Sequence, residues 1–317
     1  MVAAAAVLVS TGACAPAAKT NSSAGCTKTL VAGHGNLGPF VRHLRPGAVG
    51  CLRGTFHHSL TIRRGGIRLR SAPGSRATID GVVYVAKTAR DVVLARLALR
   101  SDHTPNVRIN GTGITIARSD ITNGHTGICV SVGGGFERWG IAHSVALLRN
   151  RIHDCGRLPA TNHDHGVYVE GAVDTVIRGN LIYDNADRGI QFYPNAKDSL
   201  ATNNVIDGNG EGVIFSSEAG GGEYSTSYAS SGNVVTRNII SNSTQRYNVE
   251  SFWAGPVGAG NLAKENCLWN GAQGNIDLSA GGFLAIANVV GNPEFVDRSD
   301  GDFRLAPGSR CLGMGPQ

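Results

Sequence analysis

Methionine is scarce in this chain, with 2 in 317 residues, and charged residues make up only 16%. Past the first few residues there is no long run rich in Ala, Leu, Glu and Lys, which excludes a helical bundle or a coiled coil. No later stretch is apolar enough to cross a bilayer as a helix. Seven cysteines are present, yet none has the Cys-x-x-Cys spacing of a zinc site or a redox motif. Lys and Arg are scattered and form no long basic run, and the aromatics form no base-stacking motif, so the sequence points away from a nucleic-acid partner. What the chain has in excess is glycine, at 44 residues, together with short apolar runs. At 41% hydrophobic it is too apolar for disorder, and the balance favours strands and turns.

The formal charge of +6 suits an acidic polysaccharide at least as well as DNA, and serves solubility in either case. Residues 1–13, MVAAAAVLVSTGA, resemble the apolar core of a signal peptide, although a positively charged start is missing. The following Thr11-Gly12-Ala13-Cys14 resembles a bacterial lipobox, with Cys14 as the lipidated residue. Residues 1–25 therefore read as leader and linker of a secreted chain, possible anchoring to the cell surface included, and residues 26–317 as the folded domain. Six cysteines remain: Cys26, Cys51, Cys129, Cys155, Cys267 and Cys311. An even remainder in an exported chain points to disulfides, with 26–51, 129–155 and 267–311 as the preferred pairing and free buried thiols as the alternative.

The middle of the chain repeats itself. ALLRNRIHDCG (146–156), TVIRGNLIYDN (175–185), SLATNNVIDGN (199–209), NVVTRNIISNS (233–243) and NLAKENCLWNG (261–271) each place an Asn between two apolar runs. Those residues are Asn150, Asn180, Asn204, Asn238 and Asn266, spaced 24 to 34 residues apart. Alternation of period two within each run indicates strands. A repeat of this length with two or three strands per unit predicts an all-β solenoid, a single-stranded right-handed parallel β-helix of about nine to ten coils. An Asn column fits such a stack, since Asn tolerates a left-handed turn and its amide can bond to the Asn of the next coil. Extra residues go to loops, the largest being SEAGGGEYSTSYASS (217–231). Residues 26–60 read as an N-terminal cap with the first coil, and residues 292–317 as a C-terminal cap over an otherwise unpaired sheet edge.

The Asn-centred repeats, the lead-in RPGAVGCLRGTF (45–56) and the close NPEFVDRSDGDFRLAPGS (292–309) resemble the pectate-lyase-like superfamily of right-handed β-helix proteins. The resemblance implies a fold shared by polysaccharide lyases, glycoside hydrolases, uronan epimerases and phage tailspikes, so the activity has to come from the site.

The densest polar constellation is NHDHGVYVEG (162–171) followed by DNADRGIQFY (184–193). Aligning Gly166, Gly189 and Gly212 stacks His165 beside Arg188 beside Glu211, and Asp164 beside Asp187, with His125 one coil earlier. Strand alternation turns Val167 and Val169 inward, and Tyr168, Glu170, Gln191 and Tyr193 outward. For β-elimination from a uronate, Arg188 would neutralise the carboxylate, His165 would take the C5 proton, and Tyr168 or Tyr193 would protonate the leaving oxygen. For hydrolysis, Asp164, Asp187, Glu170 and Glu211 supply carboxylates. The same acids could hold Ca²⁺, although no cofactor is required. Arg246 and Glu250 of RYNVESFW (246–253) extend the substrate-binding groove; Phe252 and Trp253 read as packing, and His34, His57 and His58 as surface residues. Of the polygalacturonase motifs only His165-Gly166 is matched. Asp164-His165 with Tyr168 resembles the epimerase motif without its proline. The expectation is a monomeric carbohydrate-active enzyme, a lyase before a hydrolase or epimerase, with a non-catalytic glycan-binding surface protein as the alternative. An open cluster of His165, Asp187, Arg188 and Tyr168 favours the enzyme; burial of these residues in turn hydrogen bonds favours the binder.

Overall fold

The computed structural model describes residues 25–134, 139–221 and 224–316. Three long parallel sheets run side by side along a solenoid. The first has eleven strands, from Lys28–Val31 to Phe283–Ile286, and the third has ten, from Thr55–Phe56 to Val289–Val290. The second runs from Leu60–Ile62 to Glu211–Glu218, with Val249–Trp253 paired beside that last strand. Each coil donates one strand to each sheet, so every strand bonds to the coil before and the coil after.

The alternation read from the sequence produces the core. One inward column of the first sheet is Leu69, Leu94, Ile116, Leu147, Ile177, Ala201, Val235 and Ala263 in direct register. The third sheet supplies Ile79, Leu99, Ile121, Ile152, Ile182, Ile206, Ile240 and Leu268. All are buried. Burying one such Leu or Ile contributes about 1.5–3 kcal/mol, and stacking like on like lets one coil's packing serve the next.

The Asn column forms at the corner between the first and third sheets and runs one rung further than the repeats indicate. Each Nδ2 donates to the Oδ1 of the next Asn: 150 to 180 at 3.0 Å, 180 to 204 at 2.9 Å, 204 to 238 at 2.8 Å, 238 to 266 at 3.0 Å and 266 to 288 at 2.9 Å. The expected left-handed backbone is displaced by one residue. It falls on Arg149, Gly179, Asn203, Arg237, Glu265 and Ala287, each just before a ladder Asn. The division of labour is physical: the preceding residue makes the bend, which frees the amide to satisfy backbone groups at the bend. Two further ladders were not read from the sequence, Asn185 to Asn209 at 2.7 Å and Asn233 to Asn261 at 3.0 Å.

The three disulfides form in the preferred pairing, Cys26–Cys51, Cys129–Cys155 and Cys267–Cys311. The helix Leu37–Arg42 covers the first coil with Leu37 and Val41. The closing segment behaves differently from expectation. Instead of covering the last coil, it lies along the outer face of the third sheet. There Phe303, Phe295 and Leu305 pack on Tyr183, Val205 and Ile239, and Arg298 donates to Asp207 at 2.7 Å. The reason is visible in the register: Leu181, Val205, Ile239 and Cys267 form an apolar column on the outside of that sheet and need cover. The leader, with Cys14, lies outside the described residues, and among them no helix is long and apolar enough to cross a membrane.

Candidate functional site

The outer face of the second sheet carries Tyr84, Arg108, Ser131, Tyr168, Gln191, Ile214 and Glu250 in one column. At the first position of their strands Arg188 pairs with Glu211, and the Gly166 amide donates to the Arg188 carbonyl, which sets His165 beside Arg188. The stacking expected from the three glycines is thus present. The face is covered, however, where an open groove was expected. Tyr224, from the 217–231 loop, is buried and donates its hydroxyl proton to Glu170 Oε1 at 2.9 Å. Glu170 is only 6% exposed, with Ser131 Oγ at 3.4 Å and Arg108 at 4.0 Å from Oε2. Arg108 in turn lies over the Trp139 ring at 5.5 Å. Outward strand positions need not be wet when a long loop from a later coil folds back over them. Sequence reading missed Arg108, Ser131 and Tyr224; the aromatic content of the 217–231 loop was the available signal.

His165 and Tyr168 meet edge to face with ring centroids 5.3 Å apart, and Tyr168 stacks on Tyr193 at 6.1 Å. Tyr193 donates to Glu218. Burial drives the His165 pKa well below its ordinary value, and the Arg188 and His163 charges add to this. The ring is therefore neutral. Gln191 hydrogen-bonds to it, while Nδ1 is buried without a hydrogen-bond partner among the described residues. Tyr168 is pushed the other way, well above the ordinary phenol range, by burial first and then by Glu170, Tyr224 and Tyr193. It keeps its proton.

Next to this pair sits a cluster of two cations and two acids. Arg188 Nε donates to Glu211 Oε2 at 2.9 Å, and Arg246 Nη2 to Glu250 Oε2 at 2.9 Å. Burial pushes Glu211 up to about 8, against the pull of Arg188 and with the help of Glu250. Near pH 7 Glu211 is then largely protonated. The pH dependence follows in sign. The unfolded chain releases this proton near the ordinary 4.5, whereas the folded chain holds it to about 8, so stability falls as pH rises between those values. Glu211→Gln removes the loss. Its melting temperature relative to the parent is expected to be higher at pH 8 than at pH 5, as calorimetry at the two pH values would measure.

The remaining expected site residues are occupied with local structure. Asp187 accepts from the backbone amides of Asn162, His163 and Asp164 at 2.8, 2.9 and 2.7 Å. Asp164 accepts from Arg157 Nε at 2.6 Å and from Thr161 at 3.1 Å. The other guanidinium nitrogens of Arg188 donate to the Asn162 carbonyl and side chain at 2.9 and 2.6 Å, so all three nitrogens are engaged inside the protein and the group is 7% exposed, poorly placed to meet a substrate carboxylate. His125 faces Asp154 and the Gly156 carbonyl and stands apart from the patch. Trp253 packs on the core and donates to the Gly281 carbonyl at 3.1 Å, while Phe252 is exposed. Among the described residues no three His, Cys, Asp or Glu side chains converge to hold a metal; of the acids considered for Ca²⁺, Asp164, Asp187 and Glu170 accept from N–H and O–H donors, while Glu211 accepts at Oε2 and its Oε1 is buried without a partner.

Stacked parallel coils, inward apolar columns and Asn ladders define the β-helix class of solenoid. The chain belongs to the right-handed β-helix family, whose model, described as "Right handed beta helix region", matches residues 105–290. No curated protein matches it in sequence. Its fold is similar to that of pectate lyase Pel9A, with a TM-score of 0.55 and 10% identity over 93% of each chain. The alginate lyase from Paenibacillus sp. str. FPU-7 aligns with a TM-score of 0.43 and 14% identity, over 84% of this chain and 99% of that one. PfbA, a surface adhesin of Streptococcus pneumoniae, aligns at 0.44 and 11%, over 75% and 68%. At these identities the likeness is one of fold.

Proposed function

We infer that the chain acts on an acidic polysaccharide outside the cell and cleaves it by β-elimination at the second-sheet face. The observation that carries this reading is the neutral His165, with an unpartnered Nδ1, against a Tyr168 that keeps its proton. The tautomer that donates Nε2–H to Gln191 leaves the Nδ1 lone pair free to act as base. In the reaction His165 takes the C5 proton of a uronate, the C5–H electrons form the C4–C5 double bond, and the bond from C4 to the leaving oxygen breaks. Tyr168 then protonates that oxygen. Arg246, the more exposed guanidinium of the charged cluster, replaces Arg188 as the group that meets the uronate carboxylate, with Gln191, Glu170, Tyr193, Glu211 and Glu250 shaping the subsite. Tyr168 is half-buried and His165 buried, with Tyr224 covering Glu170 beside them, so a polymer approaches the pair from the Tyr168 side. Hydrolysis is less well supported, because Glu211 and Glu250 share one buried cluster with Arg188 and Arg246 instead of flanking a gap. Three disulfides suit an oxidising compartment. The pectate lyase of similar fold agrees with this class of substrate.

A second reading, a glycan binder without catalysis, is favoured by one observation: Asp164, Asp187 and both terminal nitrogens of Arg188 are engaged in loop hydrogen bonds. Incubation with uronate and neutral polysaccharides, reading both ultraviolet absorbance of unsaturated ends and new reducing ends, separates the two. The lyase gives absorbance on uronates, and His165→Ala and Tyr168→Phe each lower its rate by about 10²–10⁴-fold. The acid limb of its pH profile lies below the ordinary histidine range, since the base stays neutral there. Reducing ends without absorbance would sink the lyase. Retention of glycan with neither signal establishes the binder.

A further inference from the structure

The basic residues that look scattered along the sequence are gathered by the coil repeat. Ala95, Ala117, Leu148 and Arg178 pair in register on the first sheet, so the residues that follow them, Arg96, Arg118, Arg149 and Gly179, stack at the corner leading to the third sheet. Backbone bonds link these rungs: Arg96 N to Ala117 O, Arg118 N to Leu148 O and Arg149 N to Arg178 O, each at 2.9 Å. Arg96, Arg118 and Arg149 stand in this column at the rung spacing of about 4.8 Å, Arg178 sits on the next rung one residue before the column position, and all four are exposed. None of the four guanidiniums meets a carboxylate or another partner among the described residues. The stem of Arg149 passes over the next rung, where a Cβ on Gly179 would lie 3.2 Å from its Cγ.

The backbone does not ask for arginine there. Arg96, Arg118 and Arg149 have φ of 57°, 52° and 55°, a region that favours Gly, Asn and Asp. The same column holds Gly179, Asn203, Arg237, Glu265 and Ala287 further along, so arginine is not required by the bend, and the non-glycine left-handed residues of the other two corners are mostly Asp, Asn and Ser, such as Asp91, Asp174, Asp184 and Asn242. This edge combines left-handed backbone at Arg96, Arg118 and Arg149 with four exposed cations that have no acid partner among the described residues, so the guanidiniums contribute something other than folding. We propose that the Arg96–Arg118–Arg149–Arg178 ladder is a binding site for a linear acidic polysaccharide, lying along the solenoid with its carboxylates or sulfates on successive rungs. The neighbouring outward positions, Ala95, Ala117, Leu148 and Thr202, offer no aromatic ring for stacking on bases, which disfavours single-stranded nucleic acid. A single file of charge also suits a chain better than a lipid surface. This site is separate from the second-sheet face and does not depend on its reaction.

The test uses the full chain with Arg96→Asn, Arg118→Asn, Arg149→Asn and Arg178→Gln together, since Asn accepts the left-handed backbone. Its melting temperature is expected at or above the parent's. In affinity electrophoresis through polygalacturonate, the parent is retarded and the variant binds at least about tenfold more weakly, with a shallower dependence on salt. The single Arg118→Gln loses about two- to fourfold, since it removes one charge of four. Arg237→Gln, whose guanidinium already faces Glu265 at 3.4 Å, changes little. Folded variant with parental affinity, equal loss in Arg237→Gln, equal retardation of the parent in neutral dextran, or tighter binding to duplex DNA than to polygalacturonate each overturns the proposal. Lyase activity, assayed separately, is expected to persist in the variant on short substrates.

Discussion

Asn238→Ala is expected to lower the urea midpoint sharply, by an equivalent of about 3–5 kcal/mol. Asn238 is fully buried in the middle of the ladder. Its Oδ1 accepts from the Asn204 backbone amide at 2.9 Å and the Asn204 side chain at 2.8 Å, and its Nδ2 donates to the Ala201 carbonyl and Asn266 Oδ1, each at 3.0 Å. Truncation removes the side-chain partner of the Asn204 backbone amide and of the Ala201 carbonyl in a site that water does not reach, and each such orphan costs about 1–3 kcal/mol; the neighbouring side chains each lose one of two partners, Asn204 Nδ2 keeping the Ile177 carbonyl and Asn266 Oδ1 the backbone amide of residue 238. Asn288 tests the explanation. It makes the same kinds of bond to Asn266 and Ala263, but it ends the ladder and is half-exposed, so water can replace it. Asn288→Ala is therefore expected to cost about 1 kcal/mol. Equal losses at the two positions would mean that the ladder is not what holds the corner.

The ladder was legible because its cause is local and repeats: the same Asn, in the same short pattern, in every coil. The inward columns were legible for the same reason, whereas the even cysteine count pointed to disulfides without selecting among the pairings; the preferred one is the one that forms. Contacts between distant segments were not legible. Nothing in the pattern of residues 217–231 says that Tyr224 reaches back to Glu170, or that the closing segment turns aside onto Val205 and Ile239. The arginine ladder failed to show for a related reason. Its members stand in four different repeats, and only the register, which uneven loop lengths conceal, brings them into line. At the candidate site, sequence reading placed His165, Tyr168, Arg188 and Glu211 together correctly, yet it could not tell a free guanidinium from one committed to Asn162, because that depends on the path of the intervening loop.

Asp187→Ala is the substitution where fold and chemistry meet. The carboxylate gathers three consecutive backbone amides, those of Asn162, His163 and Asp164, and stands 3.3 Å from the Thr161 hydroxyl. Hydrogen bonds to a charged group contribute about 1.5–3 kcal/mol each, and they are not additive within one nest, so a loss of about 3–5 kcal/mol is expected for the segment they hold. That segment ends at His165 and carries Asn162, on which Arg188 is anchored. Its release is expected to open the 157–164 loop while the coil beneath, bonded through Asn185 and Asn209, keeps its register. Hydrogen exchange is the direct measurement. Amides 162–164 are expected to exchange at least about a hundredfold faster than in the parent, because about 3 kcal/mol of local protection is lost, with core strands such as Val205–Asp207 unchanged. Asp187→Asn keeps one acceptor oxygen and should fall between the two. If amides 162–164 stay protected in Asp187→Ala, the carboxylate is not what shapes the loop. Asp187 would then return to consideration as a group that meets the substrate, and a fall in lyase rate in that variant would be chemical in origin. If protection is lost and the rate falls with it, Asp187 acts by positioning His165, and the catalytic pair reduces to His165 and Tyr168.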